Sequence, residues 1–520
     1  PLLPFPTIFP GSQKSLLSQQ NASAGGFSVY EAADSAQKGR ERKRMKGGKP
    51  VQMQERKTML RTVCMLSWPT VLEQALQTGA QYVDTAMVGR IGMQASAAVG
   101  LTASAMWLIT GPLAAIGMGV LSCISKAIGA EDRQKAGIAC NQTVLLTLAT
   151  GVLFGAIALG ISPFLPDWLG AGREIRRDAF RYFFITSLPM VFRAAAVIFG
   201  AAIRATGNTR TPMKITAISL LVNISLNYFL ISPSRVLFLG PLRFHIWGGG
   251  LGVTGAAVAT ALAYVLNGVL MFATLRRSPY FRICGEGLRP CRPVIAECLG
   301  VGLPAAGQRF IIYVGHMLFT AMVARLGTLA VAIHSIALTA EEAFYIPGYG
   351  MQAAAATLAG NAAGRQNLEQ LRQVARTATL LSTVIMTALS LLLFLFPEHV
   401  MALFTTDPRV IEGGGRVLRI VSVSEPLFAV AVIMEGIFDG VGDVKAPFLI
   451  STLSLWAVRL VPTWLCVTRF GLGLEVVWIC MVGDNVLRCL LLLGCFFGRN
   501  WKAYLEKKLV RPGDRDGQRS

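Results

Sequence analysis

Thr85-Ala-Met-Val-Gly-Arg-Ile-Gly92 returns 235 positions later as Thr320-Ala-Met-Val-Ala-Arg-Leu-Gly327. The same shift lays Pro69 on Pro304, Pro112 on Pro347, Gly129 on Gly364, Gly207 on Gly442 and Pro212 on Pro447. Residues that break or redirect helices do not recur in register by accident, so the chain is an internal duplication. The register holds across four loops and fails after the fifth helix of each half.

Between these landmarks lie apolar segments near the length of a bilayer crossing, which is about 20 helical residues. Twelve are expected, over 62–88, 94–122, 138–160, 181–203, 213–232, 251–274, 295–324, 329–358, 376–396, 418–438, 447–468 and 474–497. Of the 520 residues 53% are apolar and 15% charged, against about 25% charged in soluble domains. This excludes an ordinary soluble enzyme and a disordered chain. Six crossings per half start both halves on the same side, so the repeats are parallel and related by an axis along the membrane normal. The expected fold is all-α and polytopic, with twelve transmembrane helices in two six-helix bundles. The bundles are placed at 56–275 and 294–498, joined by a linker at 276–293.

The net charge is +21. About twice as many Lys and Arg fall on the side of the tails and the 276–293 linker as on the other. The positive-inside rule then puts both termini in the cytoplasm of a plasma-membrane protein. The basic excess faces anionic lipid, and no basic stripe interleaved with aromatics points to nucleic acid. Residues 1–55 read as a disordered basic tail, or as sequence joined upstream of a start at Met45 or Met53. Residues 499–520 read as a basic cytoplasmic tail. The ten cysteines and four histidines show no metal spacing and no disulfide framework, so neither metal nor cofactor is expected.

The chemistry concentrates on the first span. Glu73, Gln77, Gln81 and Asp84 fall within an arc of about 80° at 100° per residue. A carboxylate facing lipid costs several kcal/mol, so this stripe must line a polar cavity or pair inside the bundle. Pro69 frees a carbonyl one turn before Glu73 and invites a bend. The 235-shifted positions are Gln308, Ile312, His316 and Phe319, without a carboxylate. The chemistry on this face therefore belongs to the first half. In the second half Glu341, Glu342, Glu425, Glu435, Arg459, Asp484 and Arg488 fall in spans. Asp484 and Arg488 are spaced for a local ion pair. Arg459 needs a carboxylate, which Glu341 or Glu425 could supply, and structural pairing is favoured over a second ion site.

Pro69, Asp84-Thr-Ala-Met-Val-Gly-Arg-Ile-Gly92, Ile128-Gly129-Ala130-Glu131 and Gly207-Asn-Thr-Arg-Thr-Pro212 together resemble the multidrug and toxic compound extrusion (MATE) family, its prokaryotic branches most. The likeness covers about residues 62 to 500. It implies a monomeric antiporter in the lipid bilayer, with a central cleft for small-molecule substrates. Such transporters export organic cations, drugs and other amphiphiles in exchange for H⁺ or Na⁺. It also assigns roles: the first-helix acid falls on Asp84, the fifth-helix pair on Asn223 and Asn227, and the sixth-helix Thr on Thr260. Branches with a two-acid site carry Asp where this chain has Asn227. One fewer charge tilts the coupling ion to H⁺. Glu73, Gln77, Gln81, His316 and Glu341 are the candidates for lining the substrate cavity. The alternative is a flippase for lipid-linked oligosaccharides in the wider superfamily. That would want several cleft arginines, and the first half offers only Arg193.

Overall fold

The two halves end their helices at matching places. In this computed structural model, which describes residues 49–239, 242–281 and 289–498, the first half begins with α1 (Lys49–Gly89), α2 (Met93–Gly129), α3 (Arg133–Ile161) and the short α4 (Leu165–Trp168). It continues with α5 (Arg173–Ser187), α6 (Met190–Ala205), α7 (Arg210–Ile231), an antiparallel hairpin of β1 (Pro233–Leu239) and β2 (Leu242–Gly249), and α8 (Gly252–Arg276). The second half has α9 (Arg292–Ala324), α10 (Thr328–Gly364), α11 (Leu368–Leu395), α12 (Pro397–Ala402), α13 (Pro408–Ser422) and α14 (Glu425–Val441). It closes with α15 (Lys445–Ser454), a π-helical segment (Leu455–Leu460), α16 (Val461–Thr468) and α17 (Leu474–Phe497). Contacts divide the chain into Pro1–Thr58 and Met59–Ser520. Of the first unit only the opening turns of α1 are described. Both expected tails lie largely or wholly outside the described residues.

By length and composition, nine of the described helices can cross a membrane, and two bent pairs raise this to eleven. α1, expected as the first span, is not among them, since Glu73, Gln77, Gln81 and Asp84 lower its apolarity. The repeat is visible in backbone detail. Shifted by 235, α2 superposes on α10 end to end, and α5 on α13. Glu131 and Gln366, non-glycine residues in the left-handed region, are mates with φ of 57° and 56°. Each is followed by a capping side chain. Asp132 accepts from the Lys135 N–H and Asn367 from the Gln370 N–H, both at 2.9 Å. Register is lost at α8 and α17, as the sequence indicated.

Three features depart from the sequence expectation. The fourth and tenth spans are not straight: α5 and α6 meet at 50°, and α13 and α14 at 55°. Pro189 and Pro426 remove backbone donors at these breaks, and their places are related by the repeat to within two residues. The eleventh span widens into a π-segment just before Pro462, which has no N–H to give the preceding turn. The hairpin Pro233–Gly249 stands where only a loop was expected.

The cores also cross between halves. Val63 and Leu66 of α1 pack in a cluster with Met351, Ala355, Leu371 and Ile437 of the second half. Cys298 of α9, the mate of Val63, packs with Leu121, Cys123, Ile198 and Met271 of the first. Each half thus lends the start of its first helix to the other, and a division at the 276–293 linker does not separate the packing. Gly129 and Gly364 let α2 and α10 touch backbone to backbone. A Cβ on Gly129 would lie 2.2 Å from the Asn361 oxygen, and one on Gly364 2.0 Å from the Lys126 oxygen. Lys126 and Asn361 are themselves mates, so this is the pseudo-two-fold contact. On the same face Ser122 donates to the Gly440 carbonyl at 2.9 Å.

Candidate functional site

α1, α7 and α8 converge on Asp84. Asn223 and Asn227, one turn apart, present their amides from one face of α7. Asn227 Nδ2 donates to Asp84 Oδ1 at 2.5 Å and to Asn223 Oδ1 at 3.2 Å. Thr260 Oγ1 of α8 donates to Asp84 Oδ2 at 3.4 Å, and Asn223 Nδ2 to Thr260 Oγ1 at 3.4 Å. The four residues assigned from the resemblance therefore form one closed network. Asn227 is fully buried, yet its Oδ1 has no hydrogen-bond partner. A buried acceptor left unsatisfied beside a carboxylate is costly unless a proton donor or cation serves it.

Tyr182 of α5 lies beside this network, packed against a cluster that includes Val88, Ile231 and Ala256. Sequence reading passed over it. The available signal was only its place in the span, one turn before the helix break. Arg193 lies 4.5 Å from the Tyr264 ring centroid, so its charge is engaged with an aromatic face.

A one-turn apolar layer covers this network. Val88, Ile231 and Ala256 stand one turn from Asp84, Asn227 and Thr260, Val253 stands two turns from Thr260, and the four pack together. Beyond them, at the α1–α2 turn, opens a cavity of about 520 Å³ lined by Gln94, Asp178, Arg181 and Thr254 among others. The carboxylate is thus close to a polar mouth but separated from it by a thin plug.

The rest of the stripe divides. Glu73 is 5% exposed and pairs with Arg204 of α6 at 2.9 Å. It is tied within the bundle, where the sequence expectation made it a cavity-lining candidate. Gln77 and Gln81 are exposed, as is His316.

In the second half the expected pairings are corrected. Arg459 reaches Asp484 at 2.8 Å, not Glu341 or Glu425. The π-segment that carries it packs on α17, which aims the guanidinium at that helix. Asp484 also accepts from Ser454 at 2.6 Å, and Arg488 turns away to Asn485 at 3.2 Å and towards Glu435 at 3.9 Å. The local Asp484–Arg488 pair is therefore not formed, and Glu425 is not an ion-pair member among the described residues. Instead Glu425 and Glu341 are both buried; the Tyr345 hydroxyl donates to Glu341, and neither oxygen of Glu425 has a hydrogen-bond partner.

The MatE family profile matches twice, over residues 69–229 and 304–465, starting at the two proline mates. A probable multidrug resistance protein NorM of Thermotoga maritima is 31% identical over 451 residues, covering 86% of this chain and 94% of its own length. One of the same name from Neisseria meningitidis serogroup B is 24% identical, with 84% and 93% covered. The crystal structure of MATE in complex with MaL6 superposes with a TM-score of 0.78 at 24% identity, over 86% of this chain and 97% of that one. A profile that covers both halves, a relative above 30% identity along nearly the whole chain and the shared fold together mean that the chain belongs to the MATE family of integral membrane transporters.

Proposed function

We propose that the protein is an ion-coupled antiporter that exports organic cations, drugs or other amphiphilic small molecules by alternating access, with H⁺ as the coupling ion rather than Na⁺. Its relatives in Thermotoga maritima and Neisseria meningitidis carry the name probable multidrug resistance protein, which supports the substrate class. The observation that carries the coupling assignment is the closed network around Asp84, with one carboxylate and neutral amides for partners. A single charge among amide and hydroxyl oxygens suits a proton relay better than a tight Na⁺ site, which would gain from a second carboxylate. The excess of Lys and Arg on one side supports a plasma-membrane protein with both termini in the cytoplasm.

In this reading a proton enters from the cavity at the α1–α2 turn and neutralises Asp84. Loss of the charge loosens the amide contacts from α7 and lets α1 shift about Pro69, which shrinks the first-half cavity and expels substrate. The flippase alternative loses support, because Arg193 is spent on Tyr264. Dye efflux from cells lacking their own pumps tests the proposal. The wild type should extrude cationic dye, and Asp84→Asn should abolish export at matched abundance. Near wild-type efflux in that variant would sink the assignment.

A further inference from the structure

α2 and α9 come from opposite halves and cross unusually close. A Cβ on Gly119 would lie 2.2 Å from the Cys298 carbonyl oxygen and 2.8 Å from the Gly302 nitrogen. A Cβ on Gly302 would lie 3.0 Å from the Ile116 Cα. Packed helices usually keep axes about 8–10 Å apart, and glycines at a crossing permit a shorter separation. Cys123 follows Gly119 by one turn, and Cys298 precedes Gly302 by one turn. The helices run antiparallel, since Lys126 near the end of α2 meets Glu297 near the start of α9 at 3.1 Å. Both cysteines therefore lie at the same level, and both pack in one core cluster. Each is 1% exposed and unoxidised.

We propose that Cys123 and Cys298 are a disulfide-forming pair whose oxidation joins the two halves and locks the α2–α9 crossing shut. The oxidant is a hydroperoxide. It converts one thiol to a sulfenic acid and leaves as an alcohol, or as water from hydrogen peroxide. The second thiol attacks that sulfur, the S–S bond forms and water departs. Two electrons pass from the thiols to the O–O bond, and both thiol protons end in the products. Buried thiols react slowly, so the first step belongs to the moments when the halves part and water reaches them. Closure then brings the second thiol to the sulfenic acid. The crossing lies on the same face as the Gly129–Gly364 contact and the Lys126–Glu297–Lys135 bridge, in which Lys135 reaches Glu297 at 2.7 Å. A covalent tie there holds together the elements that alternating access must separate. The lock rests on the antiporter reading, but the cross-link itself does not.

The test uses the full chain in proteoliposomes treated with tert-butyl hydroperoxide. Peptide mapping without reductant should find Cys123 joined to Cys298, more so during turnover with a cationic dye. Dye transport should fall at least tenfold and return with dithiothreitol. C123S and C298S should each transport normally and resist the peroxide. Cys140, buried in the same cluster, is the competing partner, and C140S should behave as wild type. Absence of the linked peptide in the wild type overturns the pair. A linked peptide with undiminished transport overturns the lock, as does peroxide inhibition that persists in C298S.

Discussion

Adding one methyl group at either end of the pseudo-two-fold contact should hold the transporter open on that face. In Gly129→Ala the new Cβ would sit 2.2 Å from the Asn361 oxygen, and in Gly364→Ala 2.0 Å from the Lys126 oxygen. Carbon and carbonyl oxygen settle at about 3.3 Å or more. Each variant therefore asks α2 and α10 to separate by about 1 Å. The obstructing atoms are backbone carbonyls, so no side-chain rotation relieves the clash. Overpacking of this kind costs about 1–3 kcal/mol. It falls only on the state in which the helices touch, which shifts the population away from that state by about 5- to 150-fold. Alkylation of Cys123 and Cys298 by a membrane-permeant maleimide should accelerate accordingly, and dye efflux should drop several-fold. Gly79→Ala and Gly300→Ala are controls, since neither Cβ would meet any atom within 4 Å. Unchanged labelling and normal efflux in both contact variants would refute the reasoning. So would a large effect in one and none in its mate, because the contact is reciprocal.

Export should follow the proton gradient and tolerate removal of Na⁺; efflux driven by an imposed Na⁺ gradient in protonophore-treated vesicles would show the opposite coupling. Asn223→Leu should impair coupling nearly as much as loss of Asp84, while His316→Leu should leave it intact; the reverse outcome at matched membrane abundance would move the ion site to the second half.

The duplication was legible because Gly and Pro constrain the backbone directly, so their recurrence survives where side chains have diverged. The positive-φ pair Glu131 and Gln366 shows that the geometry is shared even where neither residue is glycine. The convergence of Asp84, Asn223, Asn227 and Thr260 was legible through the family likeness, helped by the one-turn spacing of the asparagines. The helix breaks were not. Pro189 and Pro426 interrupt otherwise apolar runs, and hydropathy averaged over a span does not register an angle. Side-chain pairing in the second half was misjudged for a different reason. Helical spacing predicts neighbours on one helix, but Asp484 is claimed by Arg459 from another. The exchange of Val63 and Cys298 between cores is likewise tertiary, and both are ordinary apolar positions in the sequence.

The two halves share their backbone geometry and differ in their chemistry, and the difference has a physical logic. Where the first half has Asp84, the second has Phe319, and the Arg459 guanidinium lies 5.7 Å from that ring's centroid. The mates of Asn223 and Asn227 are Val458 and Pro462, which offer no amide. Asp484 holds Arg459 in place at 2.8 Å. A fixed cation thus occupies the region where the first half presents the Asp84 carboxylate. The guanidinium is tethered to its helix and cannot leave, so this position can neither load nor unload an ion. Removing one partner of such a buried pair would strand a charge at a cost of about 3–5 kcal/mol, which keeps it static through a transport cycle. The paired elements of motion remain in both halves: the bent fourth and tenth spans, and the glycines at the α2–α10 contact. If Asp84 is the group that takes up and releases the ion, one bundle does the coupling. The other is joined to it through the shared backbone contact and the exchanged ends of α1 and α9.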